Sequence, residues 1–125
     1  MKSLIIVAPK AINKKMLWEI TKKLEENFVI VGYKFEKLDI NNLTKKQAGN
    51  LLTQEEIKKG LLVPCAMIII EGEKTIDFGK VLKSELGSEI VHVSENEEVA
   101  RYEIERFFKK EEIFEHDKIN ENVFD

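Results

Sequence analysis

The chain has 125 residues, of which 43% are hydrophobic and 34% charged, a balance typical of one globular domain. Its net charge of −3, with 20 basic and 23 acidic residues, argues against a nucleic-acid-binding protein, which usually presents a basic face. No apolar run approaches the roughly 20 residues that span a bilayer. The single cysteine excludes a disulfide framework and a cysteine-based zinc cluster. We therefore expect a cytoplasmic domain without membrane or nucleic-acid partners.

The first half of the chain predicts alternating strands and helices. Residues 3–7 form a short apolar run that is typical of a buried strand. Residues 13–27, which begin with the N-cap candidate Asn13, place apolar side chains at helical spacing. Hydrophobic residues alternate along 28–38, which indicates a strand with one more polar face. Residues 45–59 predict a further helix.

The second half continues with two more strands and two more helices. An apolar strand is predicted at 65–70, followed by a helix at 75–86 that ends at Gly87. A short strand at 89–93 leads into the last helix, and residues 94–97 have the spacing of a capping box at its start.

This order of elements predicts an α+β fold with a ferredoxin-like, split βαβ, antiparallel four-stranded sheet. The strands at 3–7 and 65–70 are apolar on both faces, so a second layer must cover the outer face of the sheet. The helix at 45–59, the C-terminal tail or a second subunit could each cover it, and a homodimer is therefore one expectation. The domain is placed at residues 1–109 and the tail that packs on it at 110–125.

The last helix carries a carboxylate on its apolar side, where Glu103 lies among Val99, Ala100 and Phe107. A buried carboxylate is costly unless a donor binds it, so Glu103 needs a partner. On the alternating strand before this helix, His92 faces away from its valine neighbours. We expect Glu103 to hold one ring nitrogen of His92 and to leave the other as a base, nucleophile or ligand.

The start of the last helix follows His92 closely, and the positive end of a helix favours an anion, phosphate above all. A histidine in that position can accept a phosphoryl group covalently. The alternative is an architectural pair in which Glu103 merely satisfies His92. No metal site is predicted, because the other histidine, His116, lies in the tail and is not at ligand spacing.

The residues around His92 resemble the active-site segment of nucleoside diphosphate kinases. In that family an Asn-x-x-His-Gly-Ser-Asp stretch precedes a helix that ends Glu-Ile-x-x-Phe-Phe. The matching residues here are Glu89-Ile-Val-His92-Val-Ser94-Glu95 and Glu103-Ile104-x-x-Phe107-Phe108. Further segments match in the family's order, at residues 4–12, 28–34, 43–48, 66–72 and 111–125. The resemblance covers nearly the whole chain and implies the ferredoxin-like fold.

The resemblance also implies a ping-pong phosphotransferase, in which a nucleoside triphosphate phosphorylates His92 and a nucleoside diphosphate removes the phosphoryl group, with Mg²⁺ neutralising charge. Glu103 matches the carboxylate that orients the histidine, and Ser94 matches the serine that follows it. Lys80 lies where the family places an arginine that contacts phosphate. Ser94 and Lys10 are further candidates for phosphate contacts.

Several positions depart from the family's pattern. Ala8 replaces its phosphate-binding lysine, Lys10 an aspartate, Glu89 an asparagine and Val93 a glycine. The aromatic part of the inserted helices and the long loop before the histidine strand are deleted. Two hypotheses therefore stay open: a phosphotransferase acting on nucleoside di- and triphosphates, and a non-catalytic relative that keeps the fold for structural or partner-binding use.

Overall fold

Four strands and four α-helices make up the part of the chain that the computed structural model describes, residues 1–38 and 63–115. The strands are β1 (Lys2–Val7), β2 (Val29–Leu38), β3 (Val63–Glu71) and β4 (Val91–Val93). The helices are α1 (Pro9–Asn13), α2 (Leu17–Asn27), α3 (Thr75–Leu86) and α4 (Glu97–Phe107). The predicted helix at 45–59 and His116 lie outside the described residues.

The four strands form one sheet in the order β2-β3-β1-β4, and every neighbouring pair is antiparallel. This is the ferredoxin-like α+β arrangement, so the predicted fold class is confirmed. Because β1 and β3 are the two central strands, they are buried on both faces, as their unbroken apolar runs indicated.

Each face of the sheet packs on its own helical layer. On one face, Ile5 and Ile68 pack with Ile20 of α2 and Leu82 of α3. On the other face, the buried cluster joins strand residues to the last helix and the residue after it: Leu4, Ile6, Ala8, Val31, Cys65, Met67, Ile69, Ile104 and Phe108. Among the described residues, α4 and Phe108 pack on the outer face, and Ile113, which lies in the predicted tail, packs against the same cluster.

The predicted single helix at 13–27 is wrong at its start. Pro9 begins a separate short helix, α1, because its missing N–H is not needed in a first helical turn. Asn13 is the last residue of that helix and not an N-cap. Lys15 then adopts a left-handed conformation with φ of 62°, which interrupts the helical path before α2.

The predicted capping box at residues 94–97 is also wrong. Asn96 is the N-cap of α4, and its side-chain oxygen accepts a hydrogen bond of 2.8 Å from the backbone N–H of Val99. Ser94 is fully buried two residues earlier, where its hydroxyl bonds to other partners. The C-terminal end of the preceding helix is as predicted, since Gly87 ends α3 with a φ of 102°.

Lys34 of β2 ties the sheet to the C-terminal end of α4. Its Nζ donates to the backbone carbonyl of Phe107 at 2.5 Å and lies 4.6 Å from the ring centroid of Phe108. A lysine at this end of a helix satisfies a carbonyl that has no partner within the helix. Beyond it, the backbone N–H of Phe114 donates to the carbonyl of Val31 at 2.6 Å, so the chain continues along β2 as far as the described residues reach. The division at residue 109 stays a prediction.

Glu112 provides a pH-dependent link in this region. The backbone N–H of Lys109, and then Nζ of Lys34, donate to its carboxylate and lower the pKa of Glu112. A carboxylate whose folded pKa is lowered stabilises the fold above its unfolded pKa, and this contribution is lost as the pH falls through the folded value. We expect NMR titration to show Glu112 ionising below the ordinary glutamate range. Lys34→Met should raise the pKa of Glu112 only part of the way to the ordinary glutamate value, because the hydrogen bond from the Lys109 backbone remains. An ordinary glutamate pKa in the unmutated protein would contradict these contacts.

None of the helices in the described ranges has the length and apolar character needed to cross a membrane.

Candidate active site

β4 presents His92 to the helix that covers the outer face. The flanking Val91 and Val93 are buried among the side chains of the α2 and α3 layer, and alternation along the strand turns His92 to the opposite face. His92 pairs with Ile6 in the central strand β1, which fixes its position along the sheet. The imidazole is 12% exposed, so it lies just below the surface.

α4 brings Glu103 to this imidazole. Nε2 of His92 and Oε2 of Glu103 lie 2.6 Å apart, and the carboxylate side chain is only 4% exposed. The contact predicted from the apolar stripe is therefore present. Burial strengthens this hydrogen bond, because a charge-assisted bond in a low-dielectric site is stronger than one in water.

Ser94 forms a hydrogen bond with the second oxygen of the Glu103 carboxylate. Its Oγ donates to Oε1 of Glu103 at 2.8 Å and accepts from the backbone N–H of Leu4 at 3.2 Å. The Ser94 N–H in turn donates to the Leu4 carbonyl at 3.3 Å. Backbone, hydroxyl, carboxylate and imidazole thus form one connected chain, and each Glu103 oxygen has a partner that fixes its orientation.

This hydrogen-bond chain indicates which ring nitrogen of His92 carries the proton. An ionised Glu103 only accepts hydrogen bonds, so Nε2 carries the proton that it shares with Oε2. The lone pair of a neutral His92 then lies on Nδ1. A histidine whose tautomer is fixed in this way is suited to act as a nucleophile or a base through Nδ1.

Of the residues predicted to contact phosphate, Ser94 lies at the pair, whereas the two lysines are on other elements. Lys80 is exposed on α3, whose core residues pack against the face of the sheet opposite to α4. Lys10 is exposed on α1. Ser94 is fully buried, so its hydroxyl supports Glu103 and does not face a ligand in solvent. As direct phosphate contacts, Lys80 and Lys10 stay predictions.

The support that Ser94 gives to Glu103 was not among the sequence predictions. A signal for it exists, because residues 92 and 94 are two apart and thus on the same side of an extended chain. The role of the Leu4 backbone has no such signal, since it depends on the pairing of β1 with the end of β4.

No cluster of three or more histidine, cysteine, aspartate or glutamate residues that could hold a metal ion occurs among residues 1–38 and 63–115.

Comparison of the sequence with protein families and with curated proteins finds no match. Comparison of the structure finds nucleoside diphosphate kinases. The enzyme from Pyrobaculum aerophilum is 14% identical with a TM-score of 0.72, covering 91% of this chain and 98% of that one. The enzyme from Halobacterium salinarum, solved in complex with CDP, is 17% identical with a TM-score of 0.72, covering 92% and 91%.

A third structure is the nucleoside diphosphate kinase of Borrelia burgdorferi, solved as a transition-state mimic with vanadate and ADP. It is 18% identical to this chain, with a TM-score of 0.66, and covers 96% of this chain and 95% of its own. Identities this low establish the fold and not the activity. The resemblance that the motifs indicated is thus confirmed in three dimensions: over about nine-tenths of its length, the chain has the fold of the nucleoside diphosphate kinases.

Proposed function

We propose that the protein is a nucleoside diphosphate kinase-like phosphotransferase, which moves a phosphoryl group from a nucleoside triphosphate to a nucleoside diphosphate through phospho-His92. The observation that carries this proposal is the 2.6 Å contact between Nε2 of His92 and Oε2 of Glu103. Ser94 donates a hydrogen bond to the other oxygen of this carboxylate. A buried carboxylate that fixes the tautomer of an imidazole suits that histidine to nucleophilic catalysis. The structural likeness to nucleoside diphosphate kinases, two of them solved with ADP or CDP, supports nucleotides as substrates.

In the first step the lone pair of His92 Nδ1 attacks the γ-phosphorus. The bond from that phosphorus to the bridging oxygen breaks, and the nucleoside diphosphate leaves with the electron pair. The Nε2 proton stays in its hydrogen bond to Glu103, so the carboxylate stabilises the positive charge that develops on the ring. In the second step a terminal oxygen of another diphosphate attacks the phosphorus, the N–P bond breaks, and Nδ1 regains its lone pair.

Mg²⁺ fits this reaction as a companion of the nucleotide. Magnesium commonly binds through substrate phosphates and few protein groups, and it neutralises charge on the transferred phosphoryl group. We expect the reaction to take place in the cytoplasm, as the single cysteine suggests.

The experiment is to incubate the protein with Mg²⁺ and ATP labelled at the γ-phosphate. We expect alkali-stable, acid-labile label that an added nucleoside diphosphate removes. His92→Ala should lose the label, while His116→Ala, which alters the other of the two histidines, should keep it. Because Glu103 holds Nε2, NMR of the labelled protein should show phosphate on Nδ1. Circular dichroism and the melting temperature establish that the variants are folded.

A second candidate function is a non-catalytic relative that keeps the fold for structural or partner-binding use. It is favoured by Ala8, which is fully buried and uncharged where the resemblance places a phosphate-binding lysine. An unmutated protein that takes no label, or equal label on His92→Ala, would reject the phosphotransferase and leave this second candidate.

A further inference from the structure

The C-terminal end of α4 rests on two residues of β2. A Cβ atom on Gly32 would lie 3.1 Å from Cε2 of Phe108, so the absence of a side chain lets this ring pack closely against the strand. Two residues further along, on the same face of the sheet, Nζ of Lys34 donates to the Phe107 carbonyl and lies 4.6 Å from the ring centroid of Phe108. We call Gly32 and Lys34 the β2 seat.

Lys34 has an acceptor for each of its three N–H donors. Besides the Phe107 carbonyl, its Nζ lies 3.1 Å from Oε1 of Glu112 and 3.2 Å from Oε2 of Glu36. The lysine side chain is only 19% exposed, so little water is at hand to replace these partners. A lysine bonded in three directions has little freedom to move, and it therefore fixes the end of the helix against β2.

The two ends of α4 are attached to the site in different ways. At the N-terminal end, residues 94–96 alone separate β4 from the helix and Asn96 caps it, so a short piece of chain ties this end to His92. At the C-terminal end the chain leads away from β4, into a 3₁₀ turn at Lys110–Glu112. The tilt of α4 over the sheet is therefore set by packing and hydrogen bonds at this end, where the β2 seat lies.

Glu103 lies closer to the seated end of α4 than to the capped end. It precedes Phe107 by one helical turn, whereas Glu97 lies nearly two turns before it. A tilt about the N-terminal end would thus move Glu103 more than half as far as it moves Phe107. The contact between Oε2 of Glu103 and Nε2 of His92 is only 2.6 Å long, and a misplacement of about 1 Å at a reacting group can slow a reaction by about 10²-fold.

We propose that Lys34 is a positioning residue for the phosphotransferase, which keeps Glu103 in contact with His92 by holding the C-terminal end of α4 on β2. Gly32 contributes by admitting the ring of Phe108 to the same seat. Lys34 acts through the helix and through Glu103. It supports the reaction of the site already described, so the inference rests on the proposed function.

Three variants separate position from charge and from stability. Lys34→Met removes the ammonium group and keeps an unbranched side chain. Lys37→Met makes the same change on the same strand, but Lys37 is exposed and, three residues further on, faces the other side of the sheet. Ile20→Ala is the control for lost stability, because Ile20 is buried in the layer on the opposite face from α4.

The first readout is the rate at which phosphoramidate, which carries a phosphoryl group and no nucleotide, labels His92 at a temperature where every variant is folded. We expect Lys34→Met to be slower by about 10-fold, and Lys37→Met and Ile20→Ala to change by less than about twofold. Lys34→Arg should recover part of the rate, since a guanidinium can still donate to the carbonyl and the carboxylates. The dissociation constant of Lys34→Met for ADP should stay within about twofold, because the loss concerns the reaction and not binding.

The second readout needs no phosphoryl transfer. The ¹H and ¹⁵N chemical shifts of the Nε2–H group of His92 report its hydrogen bond to Glu103, and Lys34→Met should move the proton signal upfield as this bond lengthens. Gly32→Ala should move it in the same direction, because the added Cβ presses on Phe108 without removing a charge. The two control variants should leave the signal in place. Gly32→Ala decides the question if Lys34→Met does not fold.

Unchanged labelling and an unchanged Nε2–H signal in Lys34→Met would overturn the inference and leave the phosphotransferase standing. Equal slowing in Ile20→Ala or Lys37→Met would also overturn it, because stability or charge alone would then explain the loss. So would a parallel loss of ADP affinity, since Lys34 would then act on the nucleotide. An unmutated protein that takes no label would overturn the phosphotransferase, and the Nε2–H signal would still decide whether Lys34 sets the contact between His92 and Glu103.

Discussion

Glu103→Gln is expected to slow phosphorylation of His92 by about 10²- to 10⁴-fold, the range for loss of a general acid–base or orienting group. Ser94 donates to Oε1, so a glutamine that keeps this bond turns its NH₂ group towards His92. Nε2 of His92 must then accept, and the ring proton moves to Nδ1, which removes the lone pair that attacks phosphorus. Quench-flow labelling measures the rate, and ¹⁵N chemical shifts of the imidazole report the tautomer.

The double variant Glu103→Gln with Ser94→Ala is the control for this explanation. Without the Ser94 hydroxyl, the amide can turn its oxygen towards His92, and the reactive tautomer becomes accessible again. We therefore expect the double variant to react faster than Glu103→Gln alone. If Glu103→Gln reacts at the unmutated rate, or leaves the imidazole shifts unchanged, Glu103 does not determine the tautomer.

Met67→Ala and Ile68→Ala are each expected to lower the free energy of unfolding by about 2–5 kcal/mol, the usual cost of truncating a large buried aliphatic side chain. The two residues are consecutive on β3 and fully buried, and they face opposite layers, Met67 towards α4 and Ile68 towards α2 and α3. Urea unfolding at a low and at a high protein concentration measures both free energies. Val81→Ala, at an exposed position on α3, should change the free energy by less than about 0.5 kcal/mol.

Comparing Met67→Ala with Ile68→Ala tests which element covers the outer face of the sheet. If α4 covers it within one chain, the loss in Met67→Ala should not depend on protein concentration. A loss that appears only at high concentration would mean that a second subunit covers Met67, as the sequence had left open. A cost below about 1 kcal/mol would mean that this face is not packed as a core.

Local patterns predicted much of the site, because they depend on neighbouring residues. The alternation of Val91, His92 and Val93 placed the imidazole opposite the valines, and the helical stripe placed Glu103 on the buried side of α4. Both patterns are set by backbone geometry alone, with periods of two and about 3.6 residues. The pairing of His92 with Glu103 followed because a buried carboxylate must have a donor.

The predicted helix caps were wrong where other nearby residues determined where the helix begins. Asn13 has the chemistry of an N-cap, yet Pro9 begins a helix earlier and makes Asn13 its last residue. Ser94 has the same chemistry, yet burial beside Leu4 and Glu103 engages its hydroxyl and leaves the cap to Asn96. Capping residues compete for several backbone and side-chain partners, and local sequence does not decide between them.

By itself, the sequence determined the class of fold, the two apolar central strands and the buried pair of His92 and Glu103, because each follows from periodicity and the cost of burying charge. Only the tertiary structure decided that α4 packs on the outer face and that Leu4 and Ser94 complete the hydrogen-bond chain. These contacts join residues far apart in the chain, and they depend on strand order and on how helix and sheet pack together.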